Sequence, residues 1–362
     1  MRAYSPCMKT FPCACGSRLF FTNTECAKCS RLVGYWHAVR AVVPLDPAPA
    51  PDGWPGWRVY ACALPELKTR RFVLDQNRAR FGVGNEIVAW DPDDDQAAPQ
   101  QPLALTGRLN TTIPDVSHDS MRHSWALLET AKRRLLYTVD QLAIPYGVDP
   151  DDPLPLRFRF LANQPVGPPV STGHANGTIT INVAEADPVE RERLRVTFGE
   201  PQRTLIGHLR HEFAHYAWQR LVQGRNEPEF ISHFGDHNNP SYADAQAIYY
   251  EHGPPQDWRD RFISAYAAMH PWEDFAETFA FFLDMHDTLE TAHHFGFSAF
   301  DPLAPGTDLD AALSAYAELG VAVNEINRGM GLLDLVPEIL VRPVIDKLHY
   351  ISGLIEAGAG SR

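Results

Sequence analysis

The spacing of apolar residues changes from a strand period to a helix period near the middle of the chain. From about Ser117 to Leu142 the apolar residues recur with near-3.6 spacing, which predicts an amphipathic helix. Segments 156–161 and 177–183 alternate between apolar and polar residues, as half-buried strands do. Further helices are predicted over 204–223, from Pro271 to about Met285, over 308–328 and over 344–355. This order of elements favours an α+β fold.

The first 115 residues have a different pattern, in which short β-rich stretches alternate with Pro-rich segments. Residues 44–57 are rich in proline, which predicts a semi-extended linker. Two β-rich stretches follow at 58–62 and 85–90, and the acidic, Pro-containing run 91–102 predicts a second loop. We therefore predict three regions, namely an N-terminal module at 1–43, a linker and small β-rich region at 44–115, and a large α+β domain at 116–362.

Five of the six cysteines lie within the first 29 residues. In a reducing compartment such clustering indicates metal binding rather than disulfides. Cys13 and Cys15 form one knuckle and Cys26 and Cys29 form another, with a short hairpin between them. The first knuckle is one residue shorter than the usual C-x-x-C, and free thiols are the alternative. Four thiolates make a closed tetrahedral zinc site that supplies folding energy to a small core, so we predict a zinc ribbon.

Net charge restricts the partners that the chain can bind. The formal charge is -13, which argues against general nucleic-acid binding. Residues 1–45 nevertheless carry six Lys/Arg against one acid, a formal +5, which leaves -18 for the rest. Zinc-bound thiolates would lower that excess to about +3, enough for weak, salt-sensitive attraction to an acidic surface. No 18-residue apolar run and no secretory apolar region are found, so we expect no membrane span and a cytoplasmic protein.

The stretch His211-Glu212-Phe213-Ala214-His215 carries the clearest chemical signal. On a helix, positions i and i+4 share one face, so His211 and His215 can bind one ion. Two imidazoles and a carboxylate are a common catalytic set for Zn²⁺ and leave the fourth position open. Glu212 is then placed to take a proton from water. The alternative is two surface histidines, but the helix is otherwise apolar and would bury them without partners at a cost.

A carboxylate for this site is predicted on a second helix, 58 residues further along the chain. Glu273 and Glu277 share a helix face, whereas Asp274 points about 100° away from Glu273. Spacing alone leaves open which of the two glutamates binds the metal. The other glutamate is suited to accept the N–H of a ligand histidine, as metal sites usually require. Strands, a HExxH helix and then a carboxylate helix are the order expected of a zincin.

The chain resembles a family of zinc-binding metallopeptidases that join an N-terminal zinc ribbon to a HExxH domain. The resemblance covers nearly the whole chain and is carried by Cys15-Gly16 with Phe20-Phe21, Gly34-Tyr35, and the blocks 129–137, 203–208 and 264–277. The last block is also similar to the ligand helix of lethal-factor-type toxin proteases, which are gluzincins with the same E-x-x-x-E arrangement.

This resemblance assigns roles to residues that spacing leaves undecided. It implies that Glu273 ligates zinc and that Glu277 lies behind it. It also implies that Tyr266, seven residues before the ligand, points its hydroxyl at the metal site. Either Tyr266 or His270 could donate to a tetrahedral oxyanion, a contribution of roughly 3 kcal/mol per donor. Core packing is the alternative for both side chains.

The sequence therefore supports three functional hypotheses. The leading one is a zinc metallopeptidase that cleaves a protein or peptide substrate, with one catalytic and one structural Zn²⁺ and Glu212 as general base. Its ribbon would support substrate capture or dock on its own protease domain. The second is a zinc-ribbon adaptor whose zincin domain is vestigial, against which the intact His211, Glu212, His215 and Glu273 argue. The third is a non-peptidase zinc amidohydrolase, which the size of the cleft would distinguish. The oligomeric state is not predicted.

Overall fold

The computed structural model describes residues 9–50, 58–67, 70–90, 102–189, 191, 204–337 and 339–359. The chain divides into two compact units. The N-terminal unit comprises residues 1–133, 159–169 and 182–187, and the C-terminal unit comprises residues 134–158, 170–181 and 188–362. Helices and strands are both abundant, and the predicted α+β class is confirmed.

The bounds of the described elements follow the chain order. The strands are β1 Thr10–Pro12, β2 Arg18–Phe20, β3 Val33–Trp36, β4 Ala41–Ala48, β5 Val59–Cys62, β6 Arg71–Leu74, β7 Ile87–Trp90, β8 Asn110–Thr112, β9 Arg157–Leu161, β10 Gly173–Ala175 and β11 Thr178–Asn182. The principal helices are α1 Gln76–Phe81, α2 Leu105–Arg108, α3 Asp119–Gln141, α4 Leu205–Leu221, α5 Glu227–Phe234, α6 Tyr242–His252, α7 Pro271–His294, α8 Leu309–Gly329 and α9 Arg342–Ala359. Within the described residues, no helix has both the length and the apolar content needed to cross a membrane.

The N-terminal unit is built from a small hairpin and a larger antiparallel sheet. Strands β1 and β2 form the hairpin, in which Phe11 pairs with Leu19 and both side chains are buried. Strands β3 to β7 follow in sequence order, and each pairs antiparallel with the next. The Tyr35 N–H donates to the Asn85 carbonyl at 2.6 Å, so β3 also meets the segment that leads into β7.

Strand β4 corrects the predicted linker and the predicted boundary at residues 43–44. The strand runs through that boundary to Ala48, because Val43 and Leu45 are buried in the sheet. Pro44 has no N–H, but its carbonyl accepts from Ala63 at 2.8 Å, so the proline fits into the ladder. Residues 51–57 of the predicted linker and 91–101 of the predicted acidic loop lie outside the described residues.

Two long helices form the centre of the C-terminal unit. Helices α4 and α7 pack against each other, and Phe213, Phe275 and Phe279 are fully buried there. Helix α9 packs against α5 and α7. The β10–β11 hairpin is antiparallel and lies beside β9. Burial of these aromatic rings supplies much of the stabilisation of the helix pair, at about 25 cal/mol for each Å² of apolar surface.

The ends of α4 and α7 determine where the His211–His215 and Glu273–Glu277 motifs lie. The hydroxyl of Thr204 caps α4 by accepting the Gly207 N–H at 3.0 Å. Pro271 occupies the first turn of α7, where its missing N–H costs no hydrogen bond. The predicted end near Met285 is wrong, because the buried stripe continues through Leu289 and the helix ends at His294.

Candidate metal centres and active site

The four cysteines of the N-terminal knuckles converge on one point. Sγ of Cys13 lies 3.7 Å from Sγ of Cys29, and Sγ of Cys15 lies 3.7 Å from Sγ of Cys26. All four sulfur atoms lie within 4.8 Å of one another. A tetrahedral zinc with Zn–S bonds of about 2.3 Å requires S···S separations of about 3.8 Å. The donor set therefore fits a structural zinc ion.

Backbone turns bring the cysteines together despite the short first knuckle. The Gly16 N–H donates to the Cys13 carbonyl at 2.9 Å, and Gly16 has a φ of 78°, a conformation that glycine adopts without strain. Burial raises the pKa of the Cys13 thiol to about 12. Backbone N–H groups of Cys29 and Lys28 lower the pKa of Cys26 to about 6. A bound cation would favour the thiolate form of the whole cluster.

The predicted histidine and glutamate ligands also converge, inside the C-terminal unit. Nε2 of His211 lies 3.2 Å from Nε2 of His215 and 3.0 Å from Oε2 of Glu273. Nε2 of His215 lies 3.6 Å from the same oxygen. A tetrahedral zinc with ligand bonds of 2.0–2.1 Å requires separations of about 3.3 Å between donor atoms. These three side chains therefore fit one zinc ion, with the remaining coordination position open.

The hydrogen bonds around His211 favour a cation between His211 Nε2, His215 Nε2 and Glu273 Oε2. Nδ1 of His211 lies 2.7 Å from Oε1 of Glu277, so this nitrogen donates to the carboxylate. In a neutral ring Nε2 is then an acceptor, and it faces a second imidazole nitrogen and a carboxylate oxygen. Burial alone would lower the pKa of His211. Hydrogen bonds to Glu273 and Glu277 outweigh this effect of burial and raise the pKa well above its usual value.

Two hydroxyl groups that the sequence did not indicate hold the glutamates in place. The hydroxyl of Tyr242, on α6, donates to Oε1 of Glu273 at 2.8 Å. The hydroxyl of Ser264 donates to Oε2 of Glu277 at 2.8 Å. Ser264 lies inside the block that carries the family resemblance, but nothing in that block marks its hydroxyl. Tyr242 belongs to no motif, so no sequence signal identifies it.

Glu212 and Tyr266 lie beside the histidine pair. Glu212 is buried on α4, and burial raises the pKa of its carboxyl. The centroid of the Tyr266 ring lies 6.1 Å from the centroid of the His211 ring. Burial and the charge of Glu273 raise the pKa of Tyr266, so the phenol remains protonated and able to donate. A buried carboxyl group and a phenol therefore lie near the histidine pair.

His270 and Asp274 have structural positions. Nδ1 of His270 accepts the Trp272 N–H at 3.2 Å and caps α7, while its Nε2 lies 3.2 Å from the His237 carbonyl. Both ring nitrogens are therefore engaged, and core packing accounts for His270 better than oxyanion binding does. Asp274 forms a buried ion pair with Lys347 at 2.7 Å, away from the histidines. Burial raises the pKa of Asp274 to about 6 even beside this lysine.

A cleft of about 2080 Å³ leads to the cluster and lies entirely within the C-terminal unit. His211, Glu212, His215, Glu273 and Glu277 all line it. Aromatic side chains form much of the remaining wall, among them Trp218, Tyr242, Tyr249, Trp258, Tyr266 and Trp272. A substrate in this cleft would therefore meet both the acid–base residues and a large apolar surface.

Comparison with known proteins gives matches over both halves of the chain. The family model described as "Putative zinc-binding metallo-peptidase" matches residues 121–354. A model described as "zinc-ribbon domain" matches residues 10–118, a longer region than the module predicted at 1–43. No solved structure matches the chain.

Similar proteins occur in mycobacteria. An uncharacterized protein of Mycobacterium bovis and an uncharacterized protein from each of two strains of Mycobacterium tuberculosis are 33% identical over 358 residues. Each comparison covers 96% of this chain and 96% of the relative. The family match covers more than half of the chain and agrees with the two donor clusters. The chain thus belongs to the family described as "Putative zinc-binding metallo-peptidase", and the domain that this model matches follows an N-terminal zinc ribbon.

Proposed function

We propose that this protein is a zinc-dependent peptidase that hydrolyses peptide bonds in the cleft of its C-terminal unit. His211, His215 and Glu273 would hold the catalytic ion, and Cys13, Cys15, Cys26 and Cys29 would hold a second, structural ion. The observation that carries the proposal is the approach of His211 Nε2, His215 Nε2 and Glu273 Oε2 to within 3.0–3.6 Å beside the buried Glu212.

The residues around the ion would divide the chemistry of amide hydrolysis between them. Zinc bound there supplies a Lewis acid that lowers the pKa of water towards 7 and polarises the scissile carbonyl. Glu212 takes the proton of the attacking water and later passes it to the leaving amine. Tyr266 donates its phenol hydrogen to the oxyanion that develops on the former carbonyl. Glu277 keeps His211 in the tautomer that binds metal through Nε2.

The size of the cleft favours a polypeptide substrate over a small amide. Sites for small molecules usually enclose about 300–1,000 Å³. The cleft here measures about 2080 Å³, which leaves room for several residues on either side of a scissile bond. A small-amide hydrolase would have no use for so much lined surface, so this volume supports the peptidase hypothesis over the amidohydrolase hypothesis.

The ribbon is proposed to help the enzyme capture protein substrates. Its formal +5 over residues 1–45 gives it weak attraction for acidic surfaces. Removal of residues 1–45 would also remove β3 and part of β4, so charge reversal is the cleaner test. Arg18→Glu with Lys28→Glu, two exposed positions, should slow cleavage of an acidic protein at low salt while leaving a short peptide unaffected.

The proposal is tested by incubating the zinc-loaded protein with a library of peptides from a digested proteome and identifying new termini by mass spectrometry. The wild-type protein should generate new termini. Glu212→Gln should lower cleavage by about 10²–10⁴-fold, because the proton acceptor is lost. Zinc content should be equal in the two proteins, since Glu212 is not a proposed ligand. Absence of cleavage by the wild type, or equal cleavage by Glu212→Gln, would refute the proposal.

A further inference from the structure

Residues 330–337 and 339–341, which we call the strap, lie between α8 and α9 and present apolar side chains to solvent. The sequence from Leu335 to Val341 contains a single charged residue. The exposed apolar residues of the strap are Met330 at 63%, Leu332 at 57%, Leu333 at 69%, Leu335 at 49% and Ile339 at 77%. Isolated apolar residues on a surface are ordinary, whereas five exposed apolar side chains within ten positions of the sequence point to an interaction site.

Hydrogen bonds to Asn324 on α8 fix the backbone of the strap at Leu335 and Val336. Oδ1 of Asn324 accepts the N–H groups of Leu335 at 2.9 Å and Val336 at 3.0 Å. Nδ2 of the same asparagine donates to the Val336 carbonyl at 2.8 Å. Val336 is buried against Gly320, where a Cβ atom would lie only 2.6 Å from its Cγ1. These contacts fix the backbone at Leu335 and Val336, while the side chains of Leu335 and Ile339 remain exposed.

The strap forms part of the wall of the cleft that contains the proposed catalytic residues. Leu335, Val336, Pro337, Ile339, Leu340 and Val341 line the same cavity as Glu212. The part of the strap from Leu335 onward therefore shares this cleft with Glu212, whereas Met330, Leu332 and Leu333 do not line it. An occupant that touches both the strap and Glu212 would share a cleft of about 2080 Å³, and an extended chain fits that volume better than a small molecule does.

We infer that the strap is a docking surface for apolar side chains of an extended polypeptide substrate, outside the scissile bond. This inference rests on the proposed function, since it assigns the substrate class of the same cleft. A fixed backbone with exposed leucine and isoleucine side chains loses little conformational entropy on binding, so burial of these side chains contributes directly to affinity. The enzyme should therefore prefer polypeptide segments that are rich in leucine or similar residues.

Binding can be measured without turnover in full-length, zinc-loaded protein that carries Glu212→Gln. Two fluorescent peptides of equal length and net charge are compared, one with leucines and one with serines in their place. Leu335→Ser combined with Ile339→Ser should weaken binding of the leucine peptide about tenfold and leave the serine peptide unchanged. Phe297→Ser is the matched control, because Phe297 is 78% exposed and does not line the cleft.

Equal affinity of the double variant and its parent for the leucine peptide would overturn the inference. It would also be overturned if the wild-type protein is a dimer at the assay concentration and the double variant sediments as a monomer, because the strap would then bind a second copy. Cleavage is followed separately in protein with Glu212 intact. If the leucine peptide binds selectively but no peptide is cleaved, the peptidase proposal fails and the docking inference stands. If peptides are cleaved and the strap substitutions change neither binding nor cleavage, the peptidase proposal stands and the docking inference fails.

Discussion

The cysteine cluster and the histidine–glutamate cluster present their donor atoms in different ways. Short loops around the three-residue strands β1 and β2 carry the four cysteines. The histidines and Glu273 instead project from helices of 17 and 24 residues that pack along each other. Four protein donors enclose one site, whereas three donors leave the other open to a cleft. The difference separates a site suited to stabilising a fold from a site suited to chemistry.

The two clusters should also depend differently on their metal. Around the cysteines, few large apolar side chains are buried, among them Phe11, Leu19, Phe21 and Tyr35, and such a core needs further stabilisation. Around the histidines, α4 and α7 bury Phe213, Phe275 and Phe279 whether or not an ion is bound. Metal removal should therefore unfold the ribbon and leave the helices in place.

The largest effect is expected from Cys26→Ser. Loss of one thiolate should remove the structural ion, whose binding provides about 10–16 kcal/mol of apparent free energy in comparable sites. Hydrogen exchange should then become fast over residues 10–36 and stay slow in α4 and α7. Cys62→Ser is the matched control, because Cys62 is buried but lies outside the cluster. Slow exchange in the Cys26→Ser ribbon would show that its fold does not need zinc.

The next effect separates Glu273 from Glu277. Glu273→Ala should abolish zinc binding at the helical site, because only two ligands would remain. Glu277→Ala should leave that site able to bind zinc about 10–100-fold more weakly, because only the hydrogen bond to His211 is lost. Zinc affinity is measured by competition with a chelator while the cysteine site stays loaded. The opposite ranking would mean that the two glutamates exchange roles.

A smaller effect is expected from Tyr242→Phe. This change removes the hydroxyl that donates to Oε1 of Glu273 and keeps the ring in place. Zinc affinity at the helical site should fall about tenfold, as for other groups that orient a ligand. Tyr250→Phe serves as the control, because Tyr250 lines the same cleft but is 61% exposed. If both variants bind zinc like the wild type, the tyrosine does not orient Glu273.

The convergence of His211, His215 and Glu273 could be predicted from the sequence, because helical geometry relates residues four positions apart. His211 and His215 share a face of α4, and Glu273 and Glu277 share a face of α7, wherever those helices lie. Tyr242 could not be predicted in the same way. It reaches Glu273 from another helix, 31 residues earlier in the chain, through packing that no local pattern encodes.

Local composition also gave one incorrect structural prediction and missed the strap. The prolines at 44 and 47 predicted a linker, but burial of Val43 and Leu45 in the sheet outweighed them. The strap lacks any period of apolar residues, so its side chains could not be divided into buried and exposed ones. Asn324, which lies on α8 several residues before the strap, fixes the backbone at Leu335 and Val336. Its contacts leave Val336 buried and Leu335 exposed.

Zinc content combined with zinc X-ray absorption, measured on the wild type and on His211→Ala, tests the two-site account most directly. The wild type should hold about two ions per chain and show both Zn–S distances of about 2.3 Å and Zn–N or Zn–O distances of about 2.0–2.1 Å. His211→Ala should hold about one ion with sulfur neighbours alone. An unchanged metal content, or nitrogen and oxygen neighbours that persist in the variant, would contradict the assignment of the helical site.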